Sequence, residues 1–253
     1  MIAQFAAAIS FLTRLPIARN SAFDAKDVAR SSRWFPLVGG LLGGISVAAL
    51  WLFSRVFPPL VTPVLIVAID AALTGGMHFD GLADTADGLG GGRTRADVLR
   101  IMRDHAIGSY GGTALVLVIA LKIATIAALA SSRYAVPGIL LAPVLGRWSA
   151  VLLSATEAYT RPLEEDGPKS VGSPTRFVSR IELTVATVTA VIFAVAASRW
   201  FGAAALLAVA VASVCWGRLC RRRIGGVTGD TLGAGVEISE CLVLLLFTAV
   251  RDL

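Results

Sequence analysis

Residues 107–130 read IGSYGGTALVLVIALKIATIAALA, and Lys122 is the one charged residue among them. At about 1.5 Å of rise per residue, a helix of this length crosses a hydrocarbon layer about 30 Å thick. Working outward, similar apolar runs lie near 34–55, 60–76, 134–156, 181–200, 202–219 and 232–250. Together they predict an all-α, polytopic transmembrane helix bundle of about seven spans. The runs 181–200 and 202–219 are separated only by Trp200-Phe201-Gly202, so that connection has to be tight. With no fixed-period repeat and no low-complexity tract, the economical reading is a single integral membrane domain over 1–253.

Composition agrees. Hydrophobic residues make up 56% of the chain and charged residues 16%, with a mean hydropathy of +0.75. Soluble domains carry about 25% charged residues, and a water-soluble chain this apolar would expose too much apolar surface. The N-terminal block MIAQFAAAISFLTRLPIARN has its first positive charge, Arg14, after the apolar core, unlike a signal peptide. It is short for a span and reads as an interfacial or re-entrant helix. Cys215, Cys220 and Cys241 lie in or beside apolar segments without paired zinc spacing and read as buried free thiols.

The net charge of +6 and the pI of 9.8 do not indicate nucleic acid, because the basic residues flank apolar blocks instead of forming a tract. They alternate in number. Arg19, Lys26, Arg30 and Arg33 precede the first span, and Arg55 alone follows it. Arg93, Arg95, Arg100 and Arg103 come next, then Arg133 alone. Arg161, Lys169, Arg176 and Arg180 are followed by Arg199 alone, and Arg218, Arg221, Arg222 and Arg223 by Arg251 alone. Loops rich in Lys and Arg stay cytoplasmic, so the long loops are expected inside and the C-terminus outside.

The chemistry-bearing residues fall in those basic loops. After the second span the chain reads Gly75-Gly76-Met77-His78-Phe79-Asp80-Gly81-Leu82-Ala83-Asp84-Thr85-Ala86-Asp87-Gly88. Asp80, Asp84 and Asp87 stand at i, i+4 and i+7, which is one face of a helix. Like charges on one face repel, and a hard divalent cation such as Mg²⁺ or Mn²⁺ relieves the repulsion. A solvated acidic face is the plainer alternative. Gly90-Gly91-Gly92 and Arg93-Thr94-Arg95 follow, and then Arg100, Arg103 and Asp104 on one helical side. Glycine backbone and arginine forks suit phosphate, and beside an acidic metal face they suggest a metal-bound diphosphate, with Asp104 as a fourth carboxylate. His78 is read as a ligand, a base or a structural donor.

The last basic loop, Gly225-Gly226-Val227-Thr228-Gly229-Asp230-Thr231, opens the final span, where a helix N-terminus accepts anions. Asp230 or Thr231 could equally cap that helix. Glu237 and Glu240 follow inside an apolar run, and acids at membrane depth are functional candidates. Asp70, Lys122 and Arg147 also fall within predicted spans. Depth counting puts Asp70 near Arg147, so either the two pair or Arg147 reaches substrate phosphates with Asp70 orienting it. Lys122 is expected to snorkel toward the outer face.

HFDGLADTADG (78–88), RDHAIGSYG (103–111) and GGVTGDTLGA (225–234), with FLTRLPI (11–17) and RWFPLVGG (33–40), resemble the cobalamin synthase family of ribazoletransferases. Phe79 stands where an aliphatic residue is more usual. The resemblance implies a Mg²⁺-dependent membrane transferase late in cobalamin biosynthesis, at the bacterial inner membrane with its site facing the cytoplasm. Its substrates would be adenosylcobinamide-GDP and α-ribazole, or α-ribazole 5′-phosphate, with GMP released. Residue types and resemblance together nominate Asp80, Asp84, Asp87, Asp104, Asp230 and His78 for catalysis. The first three and Asp104 would hold the metal, and Arg93, Arg95, Arg100, Arg103, Arg147, Gly229 and Thr231 would bind substrate. Membrane lipid is a further expected partner, nucleic acid is not, and a homo-oligomer is compatible with the chain. The Asp84-x-x-Asp87-Gly88 segment also resembles CDP-alcohol phosphotransferases. An Asp-rich prenyltransferase or an ion-coupled transporter is the remaining alternative; a transporter would more often show internal repeats and mid-membrane sites.

Overall fold

The computed structural model describes residues 2–17, 23, 25–160 and 177–250. Arg19, Arg161, Lys169, Arg176 and Arg251, counted above in the loops, lie outside the described residues. The described helices are α1 (Ile2–Leu12), α2 (Ala25–Ser31), α3 (Phe35–Phe53), α4 (Val61–Thr74), α5 (Met77–Gly91) and α6 (Arg95–Ile101), then α7 (Ser109–Leu129), α8 (Ala135–Thr156), α9 (Arg180–Ile224) and α10 (Gly229–Ala249). A 3₁₀ turn, Ser32–Trp34, links α2 to α3. Among the described residues there is no strand, only an isolated bridge between Tyr159 and Val227. The chain is a multi-pass all-α membrane bundle.

Five helical segments are long and apolar enough to cross a membrane: Lys26–Phe53, α7, α8, α9 and α10. The pair α4–α5, bent by 90°, makes a sixth if it is one span. The expected seven is therefore not reached by length and composition. The difference lies in α9, whose 45 residues are interrupted by non-helical backbone at Ser198 and Arg199. That break comes just before the expected corner at Trp200-Phe201-Gly202. A Cβ on Gly202 would overlap the Ala194 carbonyl, so the chain folds back on itself there.

Contacts sort the helix termini into two ends. At one, Arg33 is bonded to Glu182, Arg221 bonds Glu157 at 2.8 Å, and Val227 N donates to the Ala158 carbonyl at 2.8 Å. At the other, the Tyr134 ring packs on Phe201 and Phe247 with centroids 5.4 and 6.0 Å apart. Among the described residues, Arg33, Arg221, Arg223 and Arg95 all make their contacts at the first end. Close approach of α3 to α8 depends on glycine: a Cβ on Gly43 would lie 2.6 Å from the Leu140 carbonyl oxygen. Small residues of this kind let membrane helices pack backbone to backbone.

Two elements differ from expectation. The stretch after the second span is not an exposed loop. Gly75 and Gly76, both left-handed at φ 67° and 71°, turn the chain through the bend, and α5 then packs along α10 and α7. Glycine is needed there because L side chains resist that conformation. The second departure is Cys215, which is exposed, whereas Cys220 and Cys241 are buried free thiols as expected. The short α1 buries Ala7, Ala8, Ile9 and Leu12, and Arg14 N donates to the Leu73 carbonyl at 2.7 Å, which docks the N-terminal segment beside the α4–α5 bend.

Candidate functional site

The acidic face is carried by α5. Its start crosses the start of α10 closely: a Cβ on Gly81 would meet the Asp230 carbonyl oxygen at 2.8 Å, and one on Gly233 would lie 3.4 Å from the His78 Cα. Two segments far apart in the sequence are thus brought together at the basic end. Asp80 is exposed, and Asp84 and Asp87 are half-buried. The Asp87 carboxylate accepts from Gly108 N at 2.7 Å and Gly111 N at 2.9 Å, so in this state it caps α7. Gly108 and Gly111 have to be glycine, because a Cβ at either would collide with that carboxylate. Asp104 is exposed and accepts from Ala106 N at 3.1 Å. Among the described residues no three His, Cys, Asp or Glu side chains converge as a closed metal site.

The glycine and arginine residues serve packing as well as exposure. Gly90 lies under the Tyr110 ring and Gly92 against Val98, which lets α6 and the start of α7 close over α5. Arg93, Arg95, Arg100 and Arg103 are exposed around this rim, and the Arg95 guanidinium lies over Gly225. Arg223, which sequence reasoning did not nominate, donates to the Leu89 and Gly92 carbonyls at 2.9 and 3.3 Å and so closes the C-terminus of α5. No sequence signal points to this contact, because Arg223 stands 134 residues from Leu89 and belongs to the last turn of α9. α6 starts with a capping box, and the Thr94 hydroxyl and amide hold the Asp97 carboxyl below its usual range.

The turn before α10 is a second capping box. Thr228 Oγ1 accepts from Thr231 N at 3.3 Å, and Thr231 Oγ1 accepts from Thr228 N at 2.8 Å. Thr231 is fully buried and its hydroxyl also donates to the Thr228 carbonyl, so its role here is to form the turn. Asp230 accepts from Thr228 Oγ1 at 3.3 Å, and Gly229 is the first residue of the helix. His78 is buried in the first turn of α5 at 5% exposure.

Deeper in the bundle, charges that the sequence marked one by one meet in a single cluster. Lys122 Nζ lies 2.6 Å from both Glu237 and Glu240. Arg147 is bonded to Glu240 and approaches Asp70 at 3.9 Å. Lys122 Nζ also stands 4.9 Å from the Phe79 ring centroid, which ties α5 to the cluster. One expectation is corrected: Lys122 does not snorkel to the outer face, because two buried carboxylates hold it. Arg147 is 1% exposed and lies 3.9 Å from Asp70, so the expected approach of the two is present, with Glu240 the closer partner.

The cobalamin-5-phosphate synthase family matches residues 4–248 of the chain. The chain is similar to the adenosylcobinamide-GDP ribazoletransferase of Klebsiella pneumoniae (strain 342), 39% identical over 252 residues covering 97% of this chain and 99% of the relative. It is also similar to the enzymes of that name from Syntrophobacter fumaroxidans, 38% identical over 96% of this chain and 97% of the relative, and Ralstonia pickettii (strain 12J), 37% identical over 94% and 91%. No solved structure matches the chain.

Proposed function

On the premise that the chain belongs to the cobalamin-5-phosphate synthase family, we propose that it joins adenosylcobinamide-GDP to α-ribazole, or to α-ribazole 5′-phosphate, releasing GMP. The observation that carries this reading is the crossing of α5 and α10, which sets the acidic face beside the turn at Thr228–Asp230 within a rim of arginines. A ribose hydroxyl of the acceptor, one that stays free in α-ribazole 5′-phosphate, forms a bond to the phosphorus attached to cobinamide, the bond to GMP breaks, and the hydroxyl proton passes to a carboxylate. Displacement of this kind depends chiefly on positioning and charge neutralisation. Arg93, Arg95, Arg100 and Arg103 supply positive charge for the diphosphate, and Asp80 and Asp104 are exposed carboxylates beside the half-buried Asp84 and Asp87.

Mg²⁺ fits the donor set. It is commonly held by one or two carboxylates together with substrate phosphates, not by a closed protein cage. Asp80 and Asp84, one helical turn apart, provide such a pair. Asp87, bonded to two backbone amides, and Asp104, turned to Ala106, would join only after rearrangement. When bound, the ion would neutralise diphosphate charge and stabilise the leaving GMP. We place the basic end at the cytoplasmic face of the inner membrane, supported by the gathering of Arg-rich connections there. The deciding experiment adds α-ribazole to purified protein with adenosylcobinamide-GDP and Mg²⁺ and measures GMP. Release from that donor, and none from CDP-linked or prenyl donors, is expected; the reverse pattern would transfer the chain to one of the rival transferase classes.

A further inference from the structure

The contacts between the end of α5 and the end of α9 have no role in the reading above. Arg223 stands in the last turn of α9, and its Nη2 donates to the Leu89 and Gly92 carbonyls at 2.9 and 3.3 Å. Both carbonyls lie at the C-terminus of α5, where the last ones lack partners within the helix. A second contact runs the opposite way. Arg95, at the start of α6, lies over Gly225, where a Cβ would stand 3.1 Å from its guanidinium. Gly225 ends α9 with a left-handed φ of 85°. The backbone that carries Arg223 is anchored, because the next residue, Ile224, is fully buried in an apolar cluster with Val98 and Met102 of α6.

The segment held between these contacts reads Gly90-Gly91-Gly92-Arg93-Thr94-Arg95, and the chain beyond Gly225 leads to Asp230 at the start of α10. Glycine loses more conformational freedom on ordering than any other residue, so a run of three needs an outside tie to keep one shape. We propose that Arg223 is a positioning residue: its grip on the two carbonyls holds Arg93 and Arg95 at a fixed offset from the turn at 228–230, so that the donor diphosphate meets both together. The proposal rests on the function proposed above and adds a residue that shapes the donor site without touching the donor. Nη2 is engaged with backbone and is not turned to a ligand. The fork of the guanidinium is what the contact uses; a lysine would bring the same charge as a single point.

The test uses the full chain in nanodiscs and compares Arg223→Gln and Arg223→Lys with wild type. Hydrogen–deuterium exchange of the amides over 89–95 is read first, without substrate. Arg223→Gln is expected to speed it about threefold or more and to leave α8 unchanged. In turnover, its KM for adenosylcobinamide-GDP should rise about three- to tenfold, the scale of one lost hydrogen bond to a charged group, while the KM for α-ribazole stays the same. Arg223→Lys, which carries the test if the first variant fails to fold, should fall between the two in both readouts. Exchange over 89–95 equal to wild type in Arg223→Gln would overturn the proposal. So would a lysine variant equal to wild type, since charge alone would then suffice, or an equal rise in both KM values, which marks a general loss of structure. Exchange needs no turnover, so its expected change in a protein that releases no GMP removes the proposed function and leaves the tie, whereas GMP release with exchange unaltered does the reverse.

Discussion

The acidic face of α5 and the charge cluster inside the bundle use the same residue types under opposite constraints. At the basic end, Asp80 and Asp104 are exposed, Asp84 is half-buried, and no closed metal cage forms among the described residues. In the bundle, Lys122, Arg147, Glu237 and Glu240 are each at most 4% exposed and are matched within the fold. Water and mobile ions screen the first group, so its charges need not each be neutralised by a counterion within the fold. The second group has no such help, and a buried charge without a partner costs several kcal/mol. Carboxylates available to a ligand are thus recognised by having been left in reach of water, and charges that hold helices together by being enclosed with their counterions.

Removing a ligand-facing carboxylate should therefore abolish function and spare the fold. Asp84→Asn is expected to lower the rate of GMP release by a factor on the order of 10³, a typical loss for a group that stabilises transition-state charge. Its unfolding midpoint in detergent should match the wild type. Turnover close to normal at saturating Mg²⁺ would remove Asp84 from the centre, and a large drop in midpoint would mean that the half-buried carboxylate belongs with the structural group.

The enclosed cluster should respond the other way. Glu240 bonds both Lys122 and Arg147, so Glu240→Gln leaves two buried cations short of a counterion. A loss of about 3–5 kcal/mol in stability is expected, read by denaturant or thermal unfolding in detergent. Replacing Lys122 by Met together with Glu237 by Gln removes a cation and an anion at once, and should cost less than Lys122→Met alone. If the double change costs the sum of the two single changes, the groups are not coupled and the cluster is not a unit.

This contrast explains what could be read in the sequence and what could not. Apolar run length disclosed the membrane-crossing helices, and the i, i+4, i+7 spacing put Asp80, Asp84 and Asp87 on one helical face. Neither signal says where a helix breaks. Nothing in 181–219 marks Ser198 and Arg199 as the turning point in place of Trp200-Phe201-Gly202, because backbone dihedrals set it. Likewise Gly90 and Gly92 look like phosphate-binding glycines until the Tyr110 ring and Val98 are found lying on them. The buried cluster was partly within reach. Counting about 1.5 Å per residue from the basic end of each helix puts Lys122 about 20 Å, Glu240 about 17 Å and Arg147 about 14 Å deep. Matching depths made an encounter possible, but only helix rotation decides whether side chains face one another, and depth alone suggested that Lys122 would seek the far interface.

Asp70 lies between the two regimes and gives a finer test. Its carboxylate is 3.9 Å from Arg147, and its side chain is 17% exposed, more than any other member of the cluster. Asp70→Asn should cost clearly less stability than Glu240→Gln, because Arg147 keeps its closer partner. In a double-mutant cycle with Arg147→Gln, the pair should show a coupling that departs from additivity. Strict additivity in thermal unfolding would argue that the approach to Asp70 contributes nothing and that Glu240 alone neutralises Arg147.

The smallest effect belongs to a surface carboxylate that has found a partner in the backbone. Asp97 accepts from the Thr94 hydroxyl at 2.8 Å and from the Thr94 amide at 3.2 Å, and these bonds depress its pKa. A folded-state pKa below the unfolded value, about 3.9 for aspartate, means that the stabilisation is fully present above that value. It is lost as pH falls through the lower, folded-state pKa. Asp97→Asn should therefore lower the unfolding midpoint slightly at about pH 7, by no more than roughly 2 °C, and the difference from wild type should shrink as pH falls below the ordinary aspartate range. The change is small because solvent surrounds the group, and GMP release should be unaltered. A difference that persisted undiminished in acid would show that the capping box acts through shape and hydrogen bonding independent of charge, and would take Asp97 out of the comparison.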